Sequence, residues 1–389
     1  MGSLLWLYLL GALLIPGRPV YTVAYFVVGA VLLARVSLTY AAGKLTVSRQ
    51  LSDQRIFLGE SVTVSLTLEN PSGVPLPWLQ LIESRPAQMA SEPYCEVVAL
   101  GAGERVTARY TLLGNKRGRY TVGPVTLSAG DPFGFATWNG RDEATFRFTV
   151  YPKVSPLPDL GLPARLPMGD LATRRRLFED PAWLTGTRPY VPGDSLRRVH
   201  WNATASTGEL MVKQFRHAML LPSCVMVNLN KDEYDPRGFW LEHELAIAAA
   251  ASLCHHLVEA KQQVGLVAAG VDPDAGPEAT PLVHLPLRQG RGAVVEVLET
   301  LARIEPAVTD GVDFVRAVVE EAGRLPWGTL LCLVTPKETP ELAAACARLA
   351  QSGRQVLVFL TGAGPSATGR RTGYEVYALE DRRGEVAVG

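Results

Sequence analysis

The side chains best suited to chemistry lie close together between Thr187 and Lys213. The residues of this signature segment are Tyr190, Pro192, Gly193, Asp194, Arg197, Arg198, Trp201, Thr207, Gly208 and Glu209. The Pro-Gly-Asp turn favours a short helix capped by Asp194, because an aspartate oxygen accepts hydrogen bonds from the first free amides of a helix. Arg197 and Arg198 then bring forked cationic donors close to Trp201. Such a group could bind an anion or dock a partner protein.

Two other interpretations of the signature segment stay open. In the first, the arginines pair with Asp194 or Glu209 and Trp201 fills the core, so that the segment is a structural clamp. In the second, His200 and Asp194 form a hydrolase centre. That centre would need a nucleophile or a set of metal ligands, and neither accompanies the two residues in the sequence. We therefore predict that the chain is not an enzyme.

Apolar strands and helices alternate after residue 220. Strands are predicted at 225–229, 264–269, 329–334 and 355–360, and helices at 240–260, 293–304, 312–322 and 340–351. This alternation predicts a doubly wound α/β domain with a mainly parallel sheet. Ligands of such sheets bind at the carboxyl ends of the strands. The candidate binding residues at those ends are Asn228, Asn230, Asp232, Thr335 and Lys337.

Shorter alternating stretches fill the chain from residue 44 to about residue 155. Strands are predicted at 61–68, 105–113, 118–127 and 145–150, with turn residues and no helix-period segment among them. The spacing is typical of an antiparallel β-sandwich of the immunoglobulin or fibronectin kind.

Two apolar runs, at residues 4–15 and 20–34, open the chain and are separated by Gly17-Arg18-Pro19. Each run is shorter than the roughly 20 residues that span a bilayer. A tight transmembrane helical hairpin is therefore favoured, and one interrupted span and a shallow re-entrant insertion are the alternatives. Arg35, Lys44 and Arg49 follow the second run, so we expect the soluble part to face the cytoplasm from the cell membrane.

The composition sets further bounds. With 38 basic and 38 acidic side chains, the chain has no overall charge that would attract nucleic acid. A length of 389 residues predicts two or three folding units. The cysteines, Cys95, Cys224, Cys254, Cys332 and Cys346, are odd in number and lack C-x-x-C spacing. They are expected to be buried, reduced thiols rather than disulfide partners or zinc ligands.

The signature segment resembles the DUF58 family of bacterial proteins of unknown function. Three elements carry the resemblance: Tyr-x-Pro-Gly-Asp at 190–194, Arg-Arg-x-x-Trp at 197–201 and Thr-Gly-Glu-Leu at 207–210. Asn202 and Ser206 stand where relatives usually have basic residues. The β region and the apolar N-terminus are also similar to that family. The resemblance implies a von Willebrand factor A-like domain, association with MoxR-type AAA+ ATPases, and no established catalytic activity.

In a von Willebrand factor A domain the first strand runs into an Asp-x-Ser-x-Ser motif that holds Mg²⁺. This chain has Asn228, Asn230 and Asp232 at those positions, with Lys231 among them. Neutral amides and an added cation weaken the attraction for a hard divalent ion. We therefore expect a degenerate metal site and no cofactor.

Four segments follow from these patterns: a membrane hairpin at 1–43, a β-sandwich at 44–155, a linker with the signature at 156–219, and the α/β domain at 220–389. The predicted function is that of a non-catalytic, membrane-anchored scaffold that works with a MoxR-type AAA+ ATPase in complex assembly or quality control. The predicted partners are proteins, together with membrane lipid around the hairpin. Nucleic acid is not expected to be a partner. A metal-dependent adhesion or ligand-binding module is the alternative from another class.

Overall fold

A computed structural model of the chain describes residues 18–132, 134–164, 184–192, 194–215, 222–276, 280–307 and 312–381. The chain forms two compact units, and the boundary between them follows Pro152. The first combines an N-terminal helix with an all-β module, and the second is a mixed α/β unit. This agrees with the expected succession of an apolar N-terminus, β structure and α/β structure. The first apolar run, at 4–15, lies outside the described residues.

Helix α1 (Arg18–Gly43) is longer than the sequence pattern predicted. Its apolar stretch Tyr21–Gly43 has 23 residues and contains an 18-residue window with a mean hydropathy of 1.8, enough in length and composition to cross a membrane. The expectation that the second run is too short to span is therefore wrong. Helices of this kind serve as membrane anchors or as signal sequences. The helix continues past Arg35 because Leu38, Ala41 and Ala42 are buried in the core of the β module.

The buried end of α1 gives a first prediction. Ala41 is fully buried, so replacing it with leucine forces extra methylene groups into a packed core. We expect Ala41→Leu to lower the free energy of unfolding of this unit by about 1–3 kcal/mol. Val36→Leu is the matched control, because Val36 is 66% exposed. Denaturant unfolding of the full chain in detergent measures both, and equal midpoints would contradict the packing of α1 into the core.

Ten described strands build the β module. They are β1 (Thr46–Leu51), β2 (Arg55–Phe57), β3 (Ser61–Glu69), β4 (Leu76–Glu83), β5 (Tyr94–Leu100), β6 (Arg105–Leu113), β7 (Gly118–Val122), β8 (Val125–Gly130), β9 (Thr137–Asp142) and β10 (Phe146–Tyr151). They form three sheets in the orders β1-β3-β6, β5-β4-β8-β9 and β2-β10-β7. All pairs are antiparallel except β2 with β10.

The strand predicted over 118–127 is two strands in the structure. The strand is interrupted at Gly123-Pro124. Pro124 has no amide hydrogen to donate to a neighbouring strand, and Gly123 has a φ of +95°. A side chain at Gly123 would also approach the carbonyl oxygen of Ala144 to 2.7 Å. This interruption lets β7 and β8 pair in different sheets.

A buried ion pair crosses this module. Arg49 on β1 and Glu83 on β4 have side chains that are 1% and 0% exposed, and Arg49 Nε lies 2.5 Å from Glu83 Oε1. Arg49 Nη1 donates to the carbonyl of Ala144 at 2.7 Å, and Tyr110 donates its hydroxyl to Glu83 Oε2 at 2.6 Å. Burial raises the pKa of Glu83 although the Tyr110 hydrogen bond and the Arg49 charge oppose this shift.

The second unit holds the remaining described α-helices and strands. In chain order they are β11 (Leu184–Pro189), α2 (Trp201–Thr207), β12 (Met211–Phe215), β13 (Ser223–Asn228), α3 (Phe239–Glu259), β14 (Val264–Ala269), β15 (Val283–Arg288), α4 (Arg291–Arg303), α5 (Phe314–Arg324), β16 (Leu330–Thr335), α6 (Pro340–Gln351), β17 (Gln355–Leu360), β18 (Gly369–Arg370) and β19 (Glu375–Ala378). Strands β11 and β12 form a separate antiparallel pair.

The described strands from β13 onward form one sheet in the order β15-β14-β13-β16-β17-β19-β18. Strands β14, β13, β16, β17 and β19 are parallel, and β15 and β18 pair antiparallel at the two edges. Side chains of α5 and α6 pack against alternate residues of the central strands, including Cys224 and Met226. Helices α3 and α4 pack on each other, and α3 also packs on β13, β14 and β16. The predicted mainly parallel sheet is present.

The cysteines match the prediction with one exception. All five are free thiols, and Cys224, Cys254, Cys332 and Cys346 are buried. Burial raises the pKa of the Cys332 thiol to about 12. Cys95 is exposed on β5, so the expectation that every cysteine is buried is wrong for this residue. The strand alternates between core and solvent, and Cys95 points outward.

Candidate functional site

The carboxyl ends of β13 and β16 meet at the centre of the α/β sheet. These neighbouring strands lie where the order of the sheet reverses, which is the place where doubly wound sheets bind ligands. Asn228 ends β13 and Thr335 ends β16, and both are buried. Asn228 Nδ2 donates to Thr335 Oγ1 at 3.3 Å, and Asn228 Oδ1 accepts from the amide of Asn230 at 3.1 Å. Both polar atoms of the Asn228 side chain are thus used within the protein.

Further hydrogen bonds hold the loop that follows β13. Asn230 Nδ2 donates to the carbonyl of Val312 at 2.8 Å and to Glu233 Oε1 at 3.2 Å. The hydroxyl of Tyr234, which is also buried, donates to the carbonyl of Asn228 at 2.5 Å. These hydrogen bonds fix the loop, and the buried Asn230 Oδ1 is left without a hydrogen-bond partner among the described residues.

The predicted binding residues of this edge separate into two groups. Asn228, Asn230 and Thr335 are 0%, 7% and 1% exposed, so they support the edge and offer little surface to a partner. Asp232 and Lys337 are exposed beside them. Within the described part of the chain, no group of three histidine, cysteine, aspartate or glutamate side chains is placed to hold a metal ion.

The signature segment forms a compact insert between β11 and β12. Pro189 pairs with Met211 at the end of the two strands, and residues 190–210 connect them. The amide of Tyr190 donates to the carbonyl of Leu210 at 2.8 Å, and the amide of His200 donates to the carbonyl of Met211 at 2.8 Å. Because both bonds tie the insert to the same strand end, its turns and short helix are fixed close to that end.

Asp194 pairs with an arginine that the sequence analysis did not single out. Arg188 on β11 donates from both terminal nitrogens to the two carboxylate oxygens, each at 2.7 Å, and the amide of Val191 donates to Asp194 Oδ2 at 3.0 Å. The Arg188 hydrogen bonds are the main reason that the pKa of Asp194 falls to about 2. The expected helix cap by Asp194 is wrong, since the turn at Leu196–Arg198 has no side-chain cap.

His200 and Trp201 also differ from the expectations. His200 Nδ1 accepts from the amide of Ala203 at 3.1 Å and so caps α2. Since the Asp194 oxygens bind Arg188 and His200 Nδ1 binds this amide, the described contacts do not bring the pair together as a hydrolase centre would require. Trp201 is 69% exposed, so its expected role as a core plug in a structural clamp is wrong.

The other signature residues either end α2 or lie at least partly exposed in the insert. The hydroxyl of Thr207 donates to the carbonyl of Ala203, and Gly208 ends α2 with a φ of +74°, a conformation that glycine adopts without strain. Pro192 and Glu209 are exposed, and Tyr190 is half-buried. Gly193 lies outside the described residues.

Large apolar side chains of the insert face solvent. Leu196 is 68% exposed, Val191 56% and Leu210 42%, in addition to Trp201. Arg197 and Arg198 are exposed next to them in the chain. An exposed apolar group bordered by arginines is typical of a surface that binds another molecule. We call Val191, Leu196, Arg197, Arg198, Trp201 and Leu210 the insert surface.

The Arg188–Asp194 contact supports a second prediction. Because the pKa of Asp194 is lowered, its contribution to the order of the insert is present above the ordinary aspartate pKa near 4 and is lost as pH falls through about 2. Asp194→Ala should remove it at neutral pH, so that amide hydrogens of residues 188–200 exchange several-fold faster. Hydrogen exchange with mass spectrometry measures this, with Glu209→Ala as the control. Equal exchange in the two variants would rule out the contact as an organiser of the insert.

The fold and these sites define a protein with an apolar N-terminal helix, a β module and a doubly wound α/β unit that carries an insert. Residues 186–326 match the family model described as "Protein of unknown function DUF58". The match covers the insert and the first half of the α/β sheet and supports the resemblance stated above. No curated protein matches the chain.

Solved structures share only local likeness with the chain. The CARDB domain of a Pyrococcus furiosus protein is 17% identical over 27% of this chain and 91% of its own, with a TM-score of 0.21. A Listeria innocua beta-glucosidase is 20% identical over 27% of this chain and 16% of its own, with a TM-score of 0.18. The Pseudomonas fluorescens DNA glycosylase AlkC is 16% identical over 28% of this chain and 30% of its own, with a TM-score of 0.19. Such low scores carry no information on activity.

Proposed function

We propose that this protein is a membrane-anchored, non-catalytic docking protein of the DUF58 family. One contrast supports this proposal above all others. At the strand ends where a doubly wound sheet would bind a small ligand, Asn228 and Thr335 are buried and hydrogen-bonded to each other, while the insert exposes Trp201 and Leu196. Large exposed apolar side chains favour a macromolecular partner over a small substrate.

The proposed anchor is α1. A cleaved signal sequence leaves the mature protein, whereas Leu38, Ala41 and Ala42 of this helix are part of the core of the β module. The 20 residues from Arg18 to Ser37 rise about 30 Å, the thickness of a bilayer core. Arg35 and Lys44 favour a cytoplasmic orientation of the soluble part, and Arg49 adds little because it is buried.

The α/β unit is proposed to be von Willebrand factor A-like, and the β module to be an immunoglobulin-like sandwich. Counted from β13 and without the two-residue β18, the strand order is 3-2-1-4-5-6, the doubly wound order. The DUF58 match and the resemblance of the signature segment also favour this proposed fold. The resemblance of the signature segment to the DUF58 family implies a MoxR-type AAA+ ATPase as the partner, in complex assembly or quality control.

Affinity purification of the full chain tests the function. The tagged protein is cross-linked in its own cells, solubilised in mild detergent and compared with a bait that carries only residues 1–43. We expect an AAA+ ATPase of the MoxR type to be enriched with the full chain. If the two baits recover the same proteins, the docking function is wrong.

A further inference from the structure

A cavity of about 510 Å³ lies between α1 and the loop that joins β8 to β9. Its walls include Ala30, Leu33 and Ala34 of the helix together with Pro132 and Phe135 of the loop. The helix residues are three or four positions apart, so they lie on one face of α1. Helix α1 also packs on β4, β8 and β9, which fixes this face beside the loop. The helix and the loop therefore border one shared space.

The walls of this cavity offer few polar groups. Among the described wall residues only Ser37 and Asp131 are polar. The Ser37 hydroxyl donates to the carbonyl of Ala34 at 3.1 Å, and Asp131 Oδ1 accepts from the amide of Ala136 at 2.5 Å. A water molecule in a protein cavity needs several polar partners. The cavity therefore favours hydrocarbon over water.

The cavity lies beside the part of α1 that is proposed to cross the bilayer, from Arg18 to Ser37. Its wall on the helix runs from Phe26 to Ser37, a rise of about 16 Å, which is about half of a bilayer core. Less than one turn beyond Ser37, Lys44 donates to the hydroxyl of Tyr40 at 2.8 Å. Tyrosine and lysine side chains at a helix end are typical of the membrane–water interface. The cavity thus begins close to that interface and continues toward the bilayer centre.

We propose that this cavity binds an acyl chain of a membrane phospholipid and holds it between α1 and the β8–β9 loop. The acyl chain contacts Leu33 and Ala34 on one side and Pro132 and Phe135 on the other. The volume lies within the roughly 300–1,000 Å³ of sites that bind small molecules, and each buried methylene group favours binding. Phospholipid surrounds an anchored helix, so the ligand is present at high local concentration. This inference rests on the proposed membrane anchor and adds a lipid site at which the β module contacts the bilayer.

Photo-labelling of the full chain in phosphatidylcholine nanodiscs tests the inference. The probe is a phosphatidylcholine with a diazirine in the middle of one acyl chain, and mass spectrometry maps the labelled peptides. We expect adducts on α1 and on the peptide that contains Pro132 and Phe135. Labelling of α1 without that loop peptide would overturn the inference and leave the anchor in place. A chain with no label on either peptide would overturn the anchor itself, and the lipid site with it.

A variant that fills the cavity locates the lipid. Ala30→Phe should lower labelling of the loop peptide several-fold, because the added ring takes the space of the acyl chain. Gly29→Phe is the matched control, since a side chain at Gly29 meets no atom within 4 Å and this residue is not part of the cavity wall. Ala34→Phe repeats the test from the same wall, and denaturant unfolding checks that each variant is folded. Equal labelling in the wall variants and the control would place the lipid elsewhere.

A cross-linker inside the cavity identifies its occupant directly. The photoactivatable residue p-benzoylphenylalanine takes the place of Phe135 in the full chain, which is irradiated in its own membranes. An adduct with the mass of a phospholipid supports the inference. An adduct with a free fatty acid, with residues 4–15 of the same chain, or with α1 of a second copy would assign the cavity to that occupant. Each of these three results would overturn the inference while the anchor stands.

Discussion

Arg49→Ala should lower the free energy of unfolding of the first unit by about 3–5 kcal/mol, because it leaves the buried Glu83 without its counter-charge. The Glu83 side chain is fully buried, and after the change Tyr110 remains its hydrogen-bond donor. The carboxyl must then stay charged without a cation or take up a proton, and either state costs free energy in a core. Denaturant unfolding of the full chain in detergent measures the loss.

Matched variants separate the charge from the packing of this pair. Arg105 and Glu69 form an exposed pair with side chains 63% and 41% accessible, so Arg105→Ala should cost about 1 kcal/mol or less. Replacing Arg49 with methionine, Glu83 with leucine and Tyr110 with phenylalanine together should recover part of the loss, since an apolar group of similar volume avoids the desolvation cost and no buried Tyr110 hydroxyl loses its acceptor. If Arg49→Ala and Arg105→Ala are equally mild, the ion pair does not stabilise this core.

Much of the α/β unit could be predicted because its local signals agree with its tertiary structure. Helix α6 begins at the predicted Pro340, where the Thr339 hydroxyl accepts from the amide of Leu342. Strands β14 and β17 have the predicted bounds, and both are continuous apolar runs apart from Gln355 at the start of β17, as expected for strands covered on both faces. In these elements the hydrophobic periodicity, the helix-capping residues and the burial of the side chains all indicate the same structure.

Other elements depend on contacts that a local pattern does not contain. Strand β15 includes Pro286, which argues against a strand until it is known that β15 pairs only with β14, at the sheet edge. Helix α1 continues beyond Arg35 because Leu38, Ala41 and Ala42 gain burial in the β core. Its length is therefore set by tertiary packing, and the apolar run alone gave a shorter helix.

The signature segment shows the same limit at the level of side chains. Its residue types indicated an arginine partner for Asp194, yet the partner is Arg188, which the antiparallel pairing of β11 with β12 brings to the turn. Trp201 was expected in the core because large aromatic side chains are usually buried. The helix that begins at this residue is short and has no buried residue, so Trp201 stays exposed. The exposure of Trp201 is thus a feature that only the structure reveals.

The edge of the α/β sheet gives the last prediction. Asn228→Ala should lower the free energy of unfolding of this unit by about 1–3 kcal/mol, because the amide of Asn230 loses its acceptor and the Thr335 hydroxyl keeps only its hydrogen bond to the carbonyl of Lys337. Asp232→Ala is the control in the same loop and should change stability by about 0.5 kcal/mol or less, since Asp232 is exposed. Urea unfolding followed by circular dichroism compares the two variants.

The same variants distinguish a structural edge from a metal-dependent binding module. An ion that binds only the folded state raises the melting temperature by linkage, so a working cation site would make the wild-type protein more stable in millimolar Mg²⁺. We expect no such rise, because both polar atoms of Asn228 already bind protein groups and Lys231 adds a positive charge beside them. A Mg²⁺-dependent rise that Asn228→Ala abolishes would instead mean that the amide oxygens at this edge bind the ion. In that case the edge, rather than the insert, would be the ligand site of this unit.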